Sequence, residues 1–379
     1  MNVMTNRPLS DTLCDERQAF AELARDLAQK KLVENIEEHD RYPFAELFTE
    51  AIRDAGVVGF YGVNLSSECG GVDMNTAMVA VILDQLSQYD ASLAGVVFTN
   101  AAALEIIQKA ADDFDSAAML QGITSLGSTP IAFQSFAGPD ETDIPEIDDA
   151  GRITGKISYL VLGNIADYAV IPAKKQGTEN FSWYLINLGD ETLAKSKPVV
   201  SLGFHACPAV DVSLKETAGT LIGAEGKGRD YFDMMQHSMS LCAAAISLGV
   251  MKGSLKSAIE YTAERYQGGR QIIDWPQVRM LLADMAIQVK IGETCLSRSC
   301  QELENSCSGW EYSALASAVH IGEMATRCTT DGVQLFGGNG YTKDYPQEKR
   351  MRDARQAQAL LGMVPLKKIN YIGSFLQKA

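Results

Sequence analysis

Between Asp331 and Gly362 the sequence reads DGVQLFGGNGYTKDYPQEKRMRDARQAQALLG, and this stretch constrains the fold more than any other. Gly337, Gly338 and Gly340 interrupt a region that is otherwise helical in pattern. A backbone without Cβ atoms turns through positive φ or lets a bulky ligand come close, which predicts a ligand-facing turn between helices. Lys349, Arg350, Arg352 and Arg355 follow, with Asp353 among them, a spacing that suits either phosphate contacts or an ion-pair net between helices.

At 379 residues the chain can bury a large core and divide into two or three domains. Its 46% apolar and 21% charged residues are those of a globular protein, which argues against disorder. A net charge of -15 opposes any nucleic-acid role, because phosphate backbones need a basic field. The N-terminal residues lack the basic-then-apolar order of a signal peptide, and no apolar run is expected to reach membrane-spanning length. A soluble, cytoplasmic protein with no membrane partner is the expectation. The eight cysteines lack CxxC or Cys/His zinc spacing and read as reduced thiols, mostly core, with no metal site.

From Asp11 to about Ala111 the pattern is helical, beginning with Phe20, Leu23, Leu27 and Leu32 at amphipathic spacing. Pro43 restarts a helix through Phe48 and Ile52, Cys69-Gly70-Gly71 closes a loop, Met74–Leu86 forms an apolar helix, and Asp90 or Ser92 caps the next. From about Thr124 short β-rich runs take over: Pro130–Phe133, Arg152–Lys156, Tyr159–Leu162, Tyr168–Ile171 and Ser182–Ile186, read as a small antiparallel domain ending near Gly223. After Gly228 long helices return, the first rich in small residues that favour close packing. The fold class is α+β, with expected domains at 1–123 (helical), 124–223 (β) and 224–379 (a four-helix bundle).

Gln334 to Tyr341, Tyr345-Pro346, Glu348 and Arg352-Asp353-Ala354-Arg355 together resemble the C-terminal signature of the acyl-CoA dehydrogenase superfamily. DAGVVGFYG followed by CGG and DASLAG is similar to its N-terminal domain, and SLGFHACPAVDVSL followed by LIGAEGKG to the last strands of its middle domain, so the resemblance spans residues 11 to 365. It implies FAD as cofactor, a CoA thioester as substrate, a homodimer or homotetramer, and an electron-transfer flavoprotein as partner. Arg265, with Glu264, Gly268-Gly269 and Gln277, stands where the family's arginine motif contacts the FAD diphosphate across a subunit interface. Gln334 and Gly337-Gly338 match the partner motif. A C-terminal arginine that merely answers a helix dipole is the alternative for Arg265.

Two departures bear on chemistry. The family's Ile-Thr-Glu and Trp-Ile-Thr segments, which hold the flavin ring, are replaced by Ala132-Phe133-Gln134 and Tyr159-Leu160-Val161, so Phe133, Tyr159 and Val161 are the ring-facing positions and two threonine hydroxyls are gone. Gly268 also replaces a phenylalanine that packs on FAD. The catalytic glutamate, six residues after Arg355, is Leu361; the position some relatives use instead is Met239, followed by Ser240. Neither side chain takes a proton, which leaves the catalytic residue unknown, with His237, Asp233 and His205 as remaining bases and His205–Cys207 as an activated thiol if the two share a strand face. Two functions follow: a flavoenzyme acting on a CoA thioester by atypical chemistry, oxygenation in a biosynthetic or aromatic-CoA pathway included, or a catalytically silent partner subunit beside a glutamate-bearing paralogue.

Overall fold

The structure, a computed structural model, describes residues 15–34, 36–41, 47–123, 127–134, 139 and 143–376. Asp11, Cys14, Pro43, Thr124 and the Phe48 side chain lie outside the described residues. Among the described residues six α-helices come first: α1 (Asp15–Lys31), α2 (Ile36–His39), α3 (Leu47–Val57), α4 (Thr76–Ser87), α5 (Ala91–Lys109) and α6 (Ser116–Gln121). Alanines 21, 24 and 28 with Leu27 form the buried stripe of α1, while Leu23, expected inside, is exposed, because small residues let this helix lie close to its neighbours. Asn75 caps α4 by accepting from Ala77 N at 3.0 Å, and Asp90, not Ser92, caps α5 by accepting from Ser92 N at 2.6 Å. Both helices are buried all round, as central helices are.

Among the described residues eight strands follow: β1 (Ala132–Gln134), β2 (Glu146–Ile147), β3 (Arg152–Val161), β4 (Tyr168–Lys175), β5 (Ser182–Asn187), β6 (Leu193–Lys195), β7 (Ala209–Ala218) and β8 (Thr220–Ile222). They make one sheet in the order β6-β7-β3-β1-β4-β5-β8, with β2 also between β3 and β4. The expectation of an antiparallel domain needs correction, since β1 and β2 both run parallel to β4. They are two pieces of one interrupted strand filling the slot between β3 and β4. The runs 152–156 and 159–162 are likewise not two strands. Up to Val161 they belong to β3, which carries register shifts against β7, and Tyr159 sits at φ +59° in the second of these, while Leu162 lies in the turn that follows.

The C-terminal part comprises α7 (Gly228–Glu264), the short hairpin β9 (Tyr266–Gln267) and β10 (Arg270–Gln271), α8 (Pro276–Glu304), α9 (Trp310–Phe336), α10 (Gln347–Ala357) and α11 (Val364–Leu376). A Cβ at Gly249 or Gly253 would collide with the carbonyl of Asp84 or Gln88, so these glycines set how closely α7 lies against the N-terminal helices. Contrary to expectation, residues 91–113 and α7 are long and apolar enough to cross a membrane, but 94% of each apolar window is buried inside the protein. Among the described residues all cysteines are free thiols, with Cys207, Cys242, Cys300 and Cys328 buried.

Candidate active site

One end of the bundle gathers the residues expected to meet a diphosphate. Arg265 closes α7 in an extended conformation, and its carbonyl accepts from Ile272 N at 2.8 Å, which returns the β9–β10 hairpin to the start of α8. Gly268 and Gly269 have φ of +71° and +90°, so the phenylalanine of the family pattern is replaced by the tightest of turns. Tyr261 of α7 stacks on Phe336 of α9 at 4.0 Å, and Asn339 Nδ2 donates to the Tyr261 hydroxyl at 3.0 Å. This packing sets the turn after α9 against the end of α7. Gly337 has φ +58°, which favours glycine, and nothing lies near a Cβ built at Gly337 or Gly338. Arg265, Gln277, Gln334, Gly337 and Gly338 are all exposed. Paired donors beside an open glycine backbone fit a diphosphate.

The ring-facing positions are different in kind. Phe133 is buried and stacks on Trp183 at 5.2 Å; Trp183 in turn lies over Phe232 and donates to Gly228 O at 2.8 Å. Val161 pairs with Phe133 across β1 and β3 and is buried too. Tyr159 is half-buried, its hydroxyl engaged with Ser201 and Gln356, and burial raises its pKa to about 12. Among the described residues Gln134 Oε1 is buried with no hydrogen-bond partner. The residues therefore fit the phosphates of a dinucleotide, while toward the ring they offer apolar bulk and a single unmatched acceptor.

Leu361, in the turn between α10 and α11, is 2% exposed with φ +60°, and Met239 on α7 is fully buried. Gln236 Nε2 donates to Leu361 O at 2.7 Å, which ties the turn carrying Leu361 to α7 one helical turn before Met239. Ser240 Oγ donates to Gln236 O at 2.7 Å. His237 is held neutral by burial, against the pull of Glu311 and Asp233, and Asp233 is paired with Arg229 at 3.1 Å.

His205 is no base. Its Nδ1 faces Asp40 O and its Nε2 faces Ser201 O, both at 2.9 Å, and Arg352 Nη1 lies 3.5 Å from Nε2, so both ring nitrogens are engaged in the clamp. The Asp40 carboxylate at 3.2 Å raises its pKa, overcoming burial. Burial in turn opposes the charge on Asp40, but His205 and Arg352 hold it well below the usual carboxylate range. Nor do His205 and Cys207 share a strand face: they lie in a turn, Cys207 N donates to Phe204 O, and burial pushes the thiol far up. The folded pKa of His205 lies above 6.5, so its contribution to stability is complete below pH 6.5 and disappears as pH rises through the folded value. Urea unfolding across that range should show a loss of stability that His205→Gln lacks; parallel profiles for both proteins would refute the clamp.

The basic segment after the glycine turn resolves into an ion-pair net. Lys349 bridges Asp353 at 2.6 Å and Asp90 at 3.2 Å, and Arg352 binds Glu348 at 2.7 Å as well as Asp40. Arg350 donates to Ser257 Oγ at 2.8 Å, and Arg355 remains exposed beside Gln358. Sequence reasoning missed two buried groups near the site. Glu105 on α5 accepts from Ser238 Oγ at 2.8 Å and Asn64 Nδ2 at 3.2 Å; the signal was a lone carboxylate in an apolar helix. The other is Lys367 on α11, 5% exposed.

Residues 14–126 match the model described as acyl-CoA dehydrogenase, N-terminal domain, and residues 226–363 match acyl-CoA dehydrogenase, C-terminal domain. The chain belongs to the acyl-CoA dehydrogenase family. It is 26% identical to the short-chain specific acyl-CoA dehydrogenase of Megasphaera elsdenii, over 92% of this chain and 95% of that protein. With CarC, a subunit of the caffeyl-CoA reductase-Etf complex of Acetobacterium woodii, it shares 23% identity over 96% and 99% of the two chains. The structure of PigA with FAD and proline superimposes with a TM-score of 0.84 at 20% identity, covering 97% of this chain and 99% of that one. As an acyl-CoA dehydrogenase family member the protein is a flavoprotein oxidoreductase by descent, and its cofactor class is FAD.

Proposed function

We propose that the protein is an FAD-dependent oxidoreductase that acts on a CoA thioester by chemistry other than base-assisted α,β-dehydrogenation, with oxygenation in a biosynthetic or aromatic-CoA pathway as the favoured form. The observation that carries this is the pair Leu361 and Met239: both family base positions are buried and apolar, and the turn carrying one is tied to the helix carrying the other. FAD supplies two-electron transfer when bound. Arg265 and Gln334 would hold its phosphates, while Leu361 and Met239 would keep water from the reacting face without moving a proton. The exposed bundle end is proposed to reach a neighbouring copy's nucleotide in a homodimer or homotetramer, and an electron-transfer flavoprotein is proposed as redox partner where oxygen is not the acceptor. One observation favours a silent partner subunit instead: Phe133 and Val161 are committed to the core and the Tyr159 hydroxyl is already engaged.

Colour and bleaching separate these readings. A yellow protein whose flavin is not bleached by butyryl- or octanoyl-CoA supports the flavoenzyme; a protein that stays colourless after incubation with FAD supports the silent subunit; and rapid bleaching sinks both. Arg265→Ala should weaken FAD retention roughly tenfold to a hundredfold, the effect of losing a charge-assisted partner of about 1.5 to 3 kcal/mol. Unchanged flavin content after dialysis would remove Arg265 from the site.

A further inference from the structure

The turn between α10 and α11 places Leu361 at φ +60° without a glycine, a conformation that side chains resist. Something must hold it, and three of its carbonyls are captured by side chains. Lys367 Nζ donates to Gln358 O at 3.2 Å and to Leu360 O, while Gln236 Nε2 donates to Leu361 O. Gln358 Nε2 anchors the same turn to α9 through Gly322 O at 3.0 Å. Lys367 is almost fully buried, and among the described residues it has no carboxylate partner. Its ammonium is matched only by carbonyls at the end of α10, where a helix dipole favours positive charge. The charged groups on neighbouring elements are otherwise occupied, Glu323 of α9 with Lys368 and Arg355 of α10 with Gln358. Burial opposes its charge and brings its pKa down to about 8, against the carbonyls and the helix end that favour the ammonium.

We propose that Lys367 and Gln236 are positioning residues: they fasten the α10–α11 turn, and with it Leu361, in one conformation, and the fastening slackens when the Lys367 ammonium gives up its proton. A neutral amine donates more weakly to a carbonyl than an ammonium does, so the strained turn opens more often as pH rises. This rests on reading residue 361 as the site position, although the fastening itself needs no cofactor.

Hydrogen exchange of the full-length protein, followed by mass spectrometry over residues 358–363 and corrected for intrinsic rates, tests it. Wild-type exchange should rise about tenfold with a midpoint near pH 8. Lys367→Met should show the faster exchange already at neutral pH, with no further step. Gln236→Glu, which keeps the shape but loses the donor, should exchange faster on both sides of the midpoint and covers the case in which Lys367→Met does not fold. A flat wild-type profile, or Lys367→Met matching wild type at neutral pH, overturns the proposal and leaves the flavoenzyme reading standing. A colourless protein whose turn still responds to pH upholds the fastening and defeats that reading alone.

Discussion

Leu361→Glu should lower stability at neutral pH and confer a dehydrogenase activity that grows as pH rises. The leucine is buried, and Lys367, the cation that reaches this turn from α11, is already spent on two carbonyls. A carboxylate introduced there has no compensating charge, and an uncompensated buried charge costs about 3 to 5 kcal/mol. Burial will therefore raise the new pKa. A folded pKa raised above the unfolded one leaves the variant least destabilised in acid, with the penalty growing as pH passes the unfolded glutamate value of about 4.3 until it reaches the folded value. The same shift leaves little of the base ionised at neutral pH, so bleaching of the flavin by octanoyl-CoA should strengthen in alkaline buffer. Thermal unfolding in acid and at neutral pH, together with the bleaching assay, reads both effects. A variant as stable as wild type at every pH and still inert would show that residue 361 does not face the substrate α carbon.

Lys349→Met should be the most damaging single substitution in the ion-pair net. Lys349 is 4% exposed and lies between Asp90 and Asp353, each 1% exposed. Burial opposes its charge, but Asp353, Asp90 and Asp40 together keep its pKa above normal. Asp353 Oδ1 also accepts from Phe204 N at 2.8 Å, whereas Asp90 Oδ2 has no hydrogen bond and relies on the lysine's charge. Methionine preserves the packing and leaves two buried carboxylates facing each other, at a cost of about 3 to 5 kcal/mol. One of them will then bind a proton, so part of the loss should return on acidification. The double variant Lys349→Met, Asp353→Asn should recover part of it at neutral pH. Urea midpoints at neutral and acidic pH decide the matter, and a midpoint for Lys349→Met equal to wild type would contradict it.

Several features were written in the sequence because they depend on near neighbours. The helix, strand, helix order followed from periodicity, the Asp90 cap from an acceptor just before an apolar helix, and the turn at Gly337 from a residue free to take positive φ. That leucine and methionine stand at 361 and 239, where the resemblance implies a glutamate, was read by counting from Arg355, Gly249 and Arg265. What the tertiary structure decided depends on residues far apart in the chain. Alternation cannot tell a strand's direction or partner, so the parallel insertion of β1 and β2 beside β4 was invisible. Ring-facing Phe133 could be assigned to a ligand or a core by residue type alone; Trp183, fifty positions on, gave it to the core. His205 was as good a base as any histidine until Asp40 and Ser201 presented carbonyls to both its nitrogens. Lys349 could have met a phosphate or a carboxylate. The packing of α5 and α10 put Asp90 beside it, because a buried ammonium is tolerable only where the fold delivers the opposite charge.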